Sequence, residues 1–199
     1  MQILSEIAKL LEKYIPRDKE QEMLHIGQVL TFSRLLLQRL KEKNSLSLTE
    51  EIVVFTAVIH DIGRYIPIQK RHTEVNLKNI LPYINIPFPK KDCVKIIKAV
   101  QRHSIASRER PNSFLEKIIF DADNLCVFTP FGIARWYYKA ESWGGASFKS
   151  ATEDLKTLLG QAEQSSFFYL KESRDIFRKY KCSEFIHKIE KQFKLSQPL

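Results

Sequence analysis

Cysteine is scarce in this chain: Cys93, Cys126 and Cys182 lie far apart, form no CxxC pair and leave an odd count. That argues against a disulfide framework or a zinc finger and fits reduced thiols. Long apolar runs are missing too. The longest, Ile52 to Ile59, falls well below the roughly 20 residues of a membrane span. Near the start, Glu6 and Glu12 interrupt the apolar residues of MQILSEIAKLLEKY, so that segment reads as an amphipathic helix rather than a secretory leader. Strand-like alternation is nearly absent, as are fixed-period repeats, low-complexity segments and any helix-turn-helix or comparable reader motif. These absences predict a cytoplasmic, all-α globular protein with no membrane segment.

What is present begins with bulk. A chain of 199 residues, 44% hydrophobic and 28% charged, has the size and composition of one globular domain with a full core. A single domain over residues 1–199 is expected. The formal net charge of +9 attracts phosphate-bearing partners, whether nucleotides, nucleic acid or membrane surface. Much of the charge is local: Lys90 to Lys117 holds eight Lys and Arg against Asp92, Glu109 and Glu116, with His103 among them. The C-terminal Lys and Arg read as a solvated helix face.

Helical spacing dominates. One helix is predicted over Ile3 to Tyr14, ending at Pro16, and a second from Arg17 to Lys43. Ser47 with Glu50 has the pattern of a capping box opening a third. A short helix is predicted from His72 to Pro82, prolines 82, 87 and 89 mark a loop, and a helix follows over Lys91 to His103. Ser113 with Glu116 is a second capping box, opening FLEKIIFDADNL. Thr129 and Pro130 read as cap and first position of a helix ended by Gly144 and Gly145, and two or three more helices fill Ser147 to Leu195. The expected architecture is a helical bundle of about eight to ten short helices.

The chain is organised around FTAVIHDIGRY, Phe55 to Tyr65. Neighbouring residues on a helix point about 100° apart, so His60 and Asp61 can converge on one ligand only where the helix ends. Gly63 is expected to end it, by taking the left-handed conformation of a C-terminal cap. Other polar residues fall on apolar faces. His25 lies in line with Val29, Phe32 and Leu36, Asp121 with Phe114, Ile118, Leu125 and Phe128, and His103 with Ile96, Ala99 and Val100. A lone inward histidine is usually a hydrogen-bonded core residue, but an ionised carboxylate is strongly disfavoured in an apolar site unless paired or metal-bound. A divalent cation would satisfy His25, His60, Asp61 and Asp121 together. His72 falls at a helix start and His187 on an exposed face.

The ordered stretches LHIGQVL, AVIHDIGR and IIFDADNL resemble the motifs of the HD-domain superfamily of metal-dependent phosphohydrolases. DADNLCVFTPFGIARWYYKA is similar to the same region of small stand-alone bacterial HD proteins that resemble nucleotide hydrolases. The resemblance covers about residues 20–140, with a helical extension over about 147–195. It implies a single HD-type bundle and a metal held by His25, His60, Asp61 and Asp121, with His72 and His103 in places suited to a second metal. Asn124 and Cys126 stand where the subgroup has a basic and an acidic residue, which bears on substrate identity.

A mixed imidazole and carboxylate set suits Mn²⁺ or Mg²⁺ first, with Fe²⁺, Co²⁺, Ni²⁺ or Zn²⁺ as alternatives. Such a cation activates water for attack on phosphorus. Asp61 is expected to orient or deprotonate that water, Arg64, Arg102 and His103 to stabilise charge on the substrate, His72 to protonate the leaving oxygen, and Asn124 to touch the substrate. The expected activity is hydrolysis of a phosphoester or phosphoanhydride in a nucleotide or related small phosphate compound. The alternatives are a non-catalytic metal- or nucleotide-binding regulatory module and a cyclic or alarmone nucleotide phosphodiesterase. Nucleic-acid binding ranks below these and is separable by its steep salt dependence. The aromatics of ARWYYKAESW either pack under the C-terminal helices or form a contact between copies of the chain.

Overall fold

The computed structural model describes residues 9, 12–13, 20–66, 73–107, 109–144, 147–164 and 166–196. Among them the regular structure is helical. The elements are α1 (Glu20–Lys41), α2 (Glu50–Ile59), a 3₁₀ turn (Ile62–Arg64), α3 (Leu77–Ile80), α4 (Lys90–Gln101), α5 (Phe114–Val127), α6 (Pro130–Gly144), α7 (Phe148–Glu163), α8 (Lys171–Phe177) and α9 (Cys182–Ser196). The helix expected over Ile3 to Tyr14 lies outside the described residues, apart from Lys9, Glu12 and Lys13. No helix among the described residues is long and apolar enough to cross a membrane. The chain forms two compact units, Met1–Asn124 and Leu125–Leu199, divided within α5.

In the first unit α1 packs along α2, α2 against α4 and α4 against α3. The apolar spacing of α1 buries Val29, Phe32 and Leu36 beside His25, and α2 buries nearly every residue from Ile52 to Ile59. Phe55 is wholly enclosed and meets Phe88 edge-on, with ring centroids 5.4 Å apart. A helix closed in on most sides delivers its last residues into the interior, and so His60 is buried.

Two expectations about helix ends are corrected. Helix α2 begins at Glu50 after Thr49, not after Ser47, and its first turn has no side-chain cap. Glu50 is therefore the first helical residue, too early to act as the third position of a capping box, and its carboxylate instead accepts a bond from Arg34 Nε at 2.6 Å. At the other end, the helix does not stop in a left-handed glycine. Arg64 N–H donates to Asp61 O at 2.8 Å and Tyr65 N–H to Ile62 O at 3.0 Å, so the chain tightens into a right-handed 3₁₀ turn with Gly63 buried inside it. Tightening the last turn satisfies backbone groups that a helix end leaves open.

In the second unit α6 packs against α7, and α7 against α9. Thr129 Oγ1 accepts the Gly132 N–H at 2.9 Å, as expected of a cap before Pro130. Of the α6 aromatics, Trp136 Nε1 donates to Ala151 O at 3.0 Å and Tyr137 stacks on Phe148 at 4.7 Å, whereas Tyr138 is exposed. Phe128, Phe168 and Phe177 form an aromatic cluster. A Cβ on Gly132 would lie 1.8 Å from the Cys126 carbonyl oxygen, a backbone atom that cannot swing aside. Gly132→Ala is therefore expected to cost about 3 kcal/mol or more, at or beyond the upper end of ordinary overpacking. Urea denaturation of the variant beside the parent chain checks this.

Candidate metal centre

Three elements of the first unit bring donors to one point. His25 projects from α1, His60 from the end of α2, and Asp123 from α5. His25 Nε2 lies 3.3 Å from His60 Nε2 and 3.2 Å from Asp123 Oδ1, and His60 Nε2 lies 3.8 Å from that oxygen. Asp61 follows on the turn after His60, with Oδ2 3.6 Å from His60 Nε2 and 4.0 Å from His25 Nε2. His25, His60 and Asp61 are all buried.

Hydrogen bonds on the far side of the rings decide which atoms face inward. His60 Nδ1 is 2.7 Å from the Ala57 carbonyl, which accepts its N–H and so fixes the tautomer of the neutral ring with a bare Nε2 lone pair pointing at the other donors. Burial, opposed by Asp61 and Asp123, lowers the His60 pKa to about 4, so the imidazole is neutral at physiological pH. Burial also works against charge on Asp123, but the hydrogen bond from His25 and the nearby His60 and His103 outweigh it and hold that carboxyl well below its ordinary range. The result is a convergence of two imidazoles and negative charge in a largely buried place, an arrangement that a shared cation would stabilise.

The spacing fits one. Donors about 2.1 Å from a common ion stand about 3 Å apart in cis and about 4.2 Å apart in trans. The observed 3.2, 3.3 and 3.8 Å fall within that interval. His25, His60 and Asp123 form the group with metal-holding geometry found among the described residues.

The carboxylate set against the two histidines is thus Asp123, in place of the expected Asp121. Two residues on a helix are about 200° apart, so the acids of DAD point to nearly opposite sides. Asp121 is fully buried, while the Asp123 side chain is 22% exposed and faces the histidines. Ranking acids by the apolar stripe they interrupt selected the more enclosed one. The stripe could not discriminate, because α5 also buries Leu115, Ile118, Ile119, Phe120, Ala122, Leu125 and Cys126, leaving little outward face to measure against.

Asp61 divides its two oxygens. Oδ2 faces the histidine pair, while Oδ1 accepts from Arg64 Nε at 2.7 Å and lies 3.3 Å from His103 Nε2. Burial opposes its charge, yet His60, His103 and Arg64 prevail and keep the carboxyl well below its usual range. His103 is buried with Nδ1 2.6 Å from Val100 O, and its ring meets that of His60 edge-on at 5.2 Å. Burial would lower its pKa, but the bond to Asp61 raises it on balance.

The remaining expected residues divide. Arg64 joins the cluster through Asp61. Arg102 does not: Nη1 donates to Glu116 at 2.7 Å and Nε to Glu109 at 2.9 Å, so two carboxylates already neutralise it. Asn124 is buried and donates its amide to Phe120 O at 2.8 Å, one turn back on its own helix. His72 lies outside the described residues, and His187 is exposed. Sequence reasoning also passed over Glu22, a buried acid one turn before His25 that accepts the Tyr65 hydroxyl at 2.8 Å. Its place on the His25 face was the signal.

A sequence model of the HD domain matches residues 23–127, which spans all of these donors. No curated protein matches the chain. Among solved structures, Bacillus subtilis YpgQ superposes with a TM-score of 0.68 at 20% identity, covering 96% of this chain and 97% of that one. A form of YpgQ in complex with ADP gives 0.61 at 21% identity, over 88% of each chain. A predicted HD superfamily hydrolase from an uncultured Thermotogales bacterium gives 0.57 at 18% identity, over 98% of this chain and 90% of that one. At these identities the likeness is one of fold.

Proposed function

Because this chain belongs to the HD domain family, we propose that it is a metal-dependent phosphohydrolase acting on a nucleotide or a related small phosphate compound. The observation that carries the reading is the meeting of His25, His60 and Asp123 around one point with Asp61 beside them. His25, His60 and Asp123 would hold the ion, with Asp61 beside it, and Mn²⁺ or Mg²⁺ suits their mix of imidazole and carboxylate. A divalent ion held there would supply Lewis acidity toward a phosphoryl oxygen and the attacking water.

The chain's own groups do the rest. Asp61 Oδ2 orients the water and accepts its proton. Its other oxygen, bound by Arg64 and close to His103, keeps the carboxylate ionised and aimed. Arg64, its side chain 32% exposed beside Asp61, is a cation placed to balance charge that develops on the transferring group. His103, buried against Asp61, holds that carboxylate in place. Arg102 and Asn124 are left out because their polar groups are spent elsewhere. The net charge of +9 favours the approach of anionic substrates, and the ADP held by YpgQ supports a nucleotide among them.

A phosphorus NMR time course with Mg²⁺ and a mixture of ribo- and deoxyribonucleoside mono- and triphosphates tests this. Orthophosphate or pyrophosphate is expected to appear and to be abolished by chelator. A spectrum unchanged over hours at micromolar protein would contradict the nucleotide reading.

A further inference from the structure

We infer that Glu116 is a positioning residue, acting through Arg102 to hold His103 against Asp61. The inference deepens the hydrolase reading above and rests on it for its activity arm only. Glu116 is 4% exposed, and a buried carboxylate calls for partners. It has three: Oε2 accepts Arg102 Nη1 at 2.7 Å and Asn112 N–H at 2.8 Å, and Oε1 accepts the Ser113 hydroxyl at 2.9 Å. An ordinary capping box needs only bonds between such a residue and the cap within the first turn, as Glu116 N–H gives to Ser113 Oγ at 3.3 Å. The bond to Arg102 reaches back across the loop to the end of α4.

That end is where His103 begins. Arg102 closes α4, its N–H bonding Ala99 O and Lys98 O, and the next residue turns its ring onto Val100 O and Asp61. The guanidinium also donates to Glu109 in the loop. Two carboxylates thus clamp a planar cation, which suits arginine and not lysine. Glu116 and Asp123 are seven residues apart on α5, two turns along one face. One rigid helix therefore sets the acid that faces the histidine pair and, through Arg102, the histidine that faces Asp61. Displacing Arg102 would let the His103 ring drift, and about 1 Å of misplacement is enough to cost catalysis heavily.

The test uses the full chain loaded with Mg²⁺, which is diamagnetic. The chain has five histidines, so long-range ¹⁵N–¹H spectra resolve each ring, with His103 assigned by His103→Ala. Glu116→Gln keeps its one oxygen toward Asn112, turns its NH2 to the Ser113 hydroxyl, which can accept, and removes the charge facing Arg102. It is expected to move the His103 ring nitrogens while leaving those of His25 and His60 in place and Mg²⁺ affinity within about twofold. With a hydrolysed substrate in hand, kcat is expected to fall about tenfold or more with KM within threefold, and Glu116→Gln should add less than twofold once His103 is already Ala. Arg102→Lys should give an intermediate displacement, and it carries the test if Glu116→Gln fails to fold. Unmoved His103 signals in both variants, or losses that multiply independently in the double variant, would overturn the inference. A wild-type chain inactive on every phosphate compound would refute the hydrolase reading alone, and the ring spectra would then decide the clamp by themselves.

Discussion

Asn in place of Asp123 lowers the affinity for Mn²⁺ by about a hundredfold or more, while Asn in place of Asp121 leaves it within about threefold. Both changes preserve shape and remove one charge, so the contrast isolates direction. Asp123 Oδ1 lies 3.2 and 3.8 Å from the two imidazole nitrogens, and losing a donor costs at least as much as losing the outer partners that orient donors, about 10- to 100-fold. Asp121, two residues away on the same helix, lies about 200° around it from Asp123. Its replacement bears on stability, since it is fully buried. Isothermal titration with Mn²⁺ checks the pair, and loss of binding in the Asp121 variant with retention in the Asp123 variant would reverse the assignment.

Asn in place of Asp61 is expected to cut kcat by about 10²- to 10⁴-fold at saturating metal, the usual contribution of a positioned acid or base. The two oxygens of Asp61 divide the labour. The one toward the histidine pair orients water, and the one toward Arg64 and His103 keeps the group charged. An amide has one oxygen and cannot accept a proton at physiological pH. Because Asp61 lies beside the metal group, the measurement is a kcat taken across a full Mn²⁺ titration. A loss of less than tenfold at the plateau would remove Asp61 from the chemistry.

How much of this was legible in the sequence depends on how far each residue's direction was fixed locally. His25 was readable because α1 has one apolar stripe, and a histidine in line with Val29, Phe32 and Leu36 must enter the interior with them. His60 and Asp61 were readable because an apolar helix has to end somewhere inside, although the end is a 3₁₀ turn and not a glycine cap. On α5 the same reasoning lost resolution, since a helix buried on most sides has no single inward face, and the acid that faces the histidines is Asp123 and not the expected Asp121. The partners of Arg102 were illegible for another reason. Its place beside His103 suggested a substrate contact, but Glu109 and Glu116 come from a loop and from the next helix, and pairing across such distances leaves no periodic trace.

The most direct test of the central claim is an anomalous difference map at the manganese edge from a crystal of the Mn²⁺-loaded chain. The account predicts a peak about 2.0–2.3 Å from His25 Nε2, His60 Nε2 and a carboxylate oxygen of Asp123. A map with no peak among those three residues, in protein that binds Mn²⁺ stoichiometrically, would contradict it.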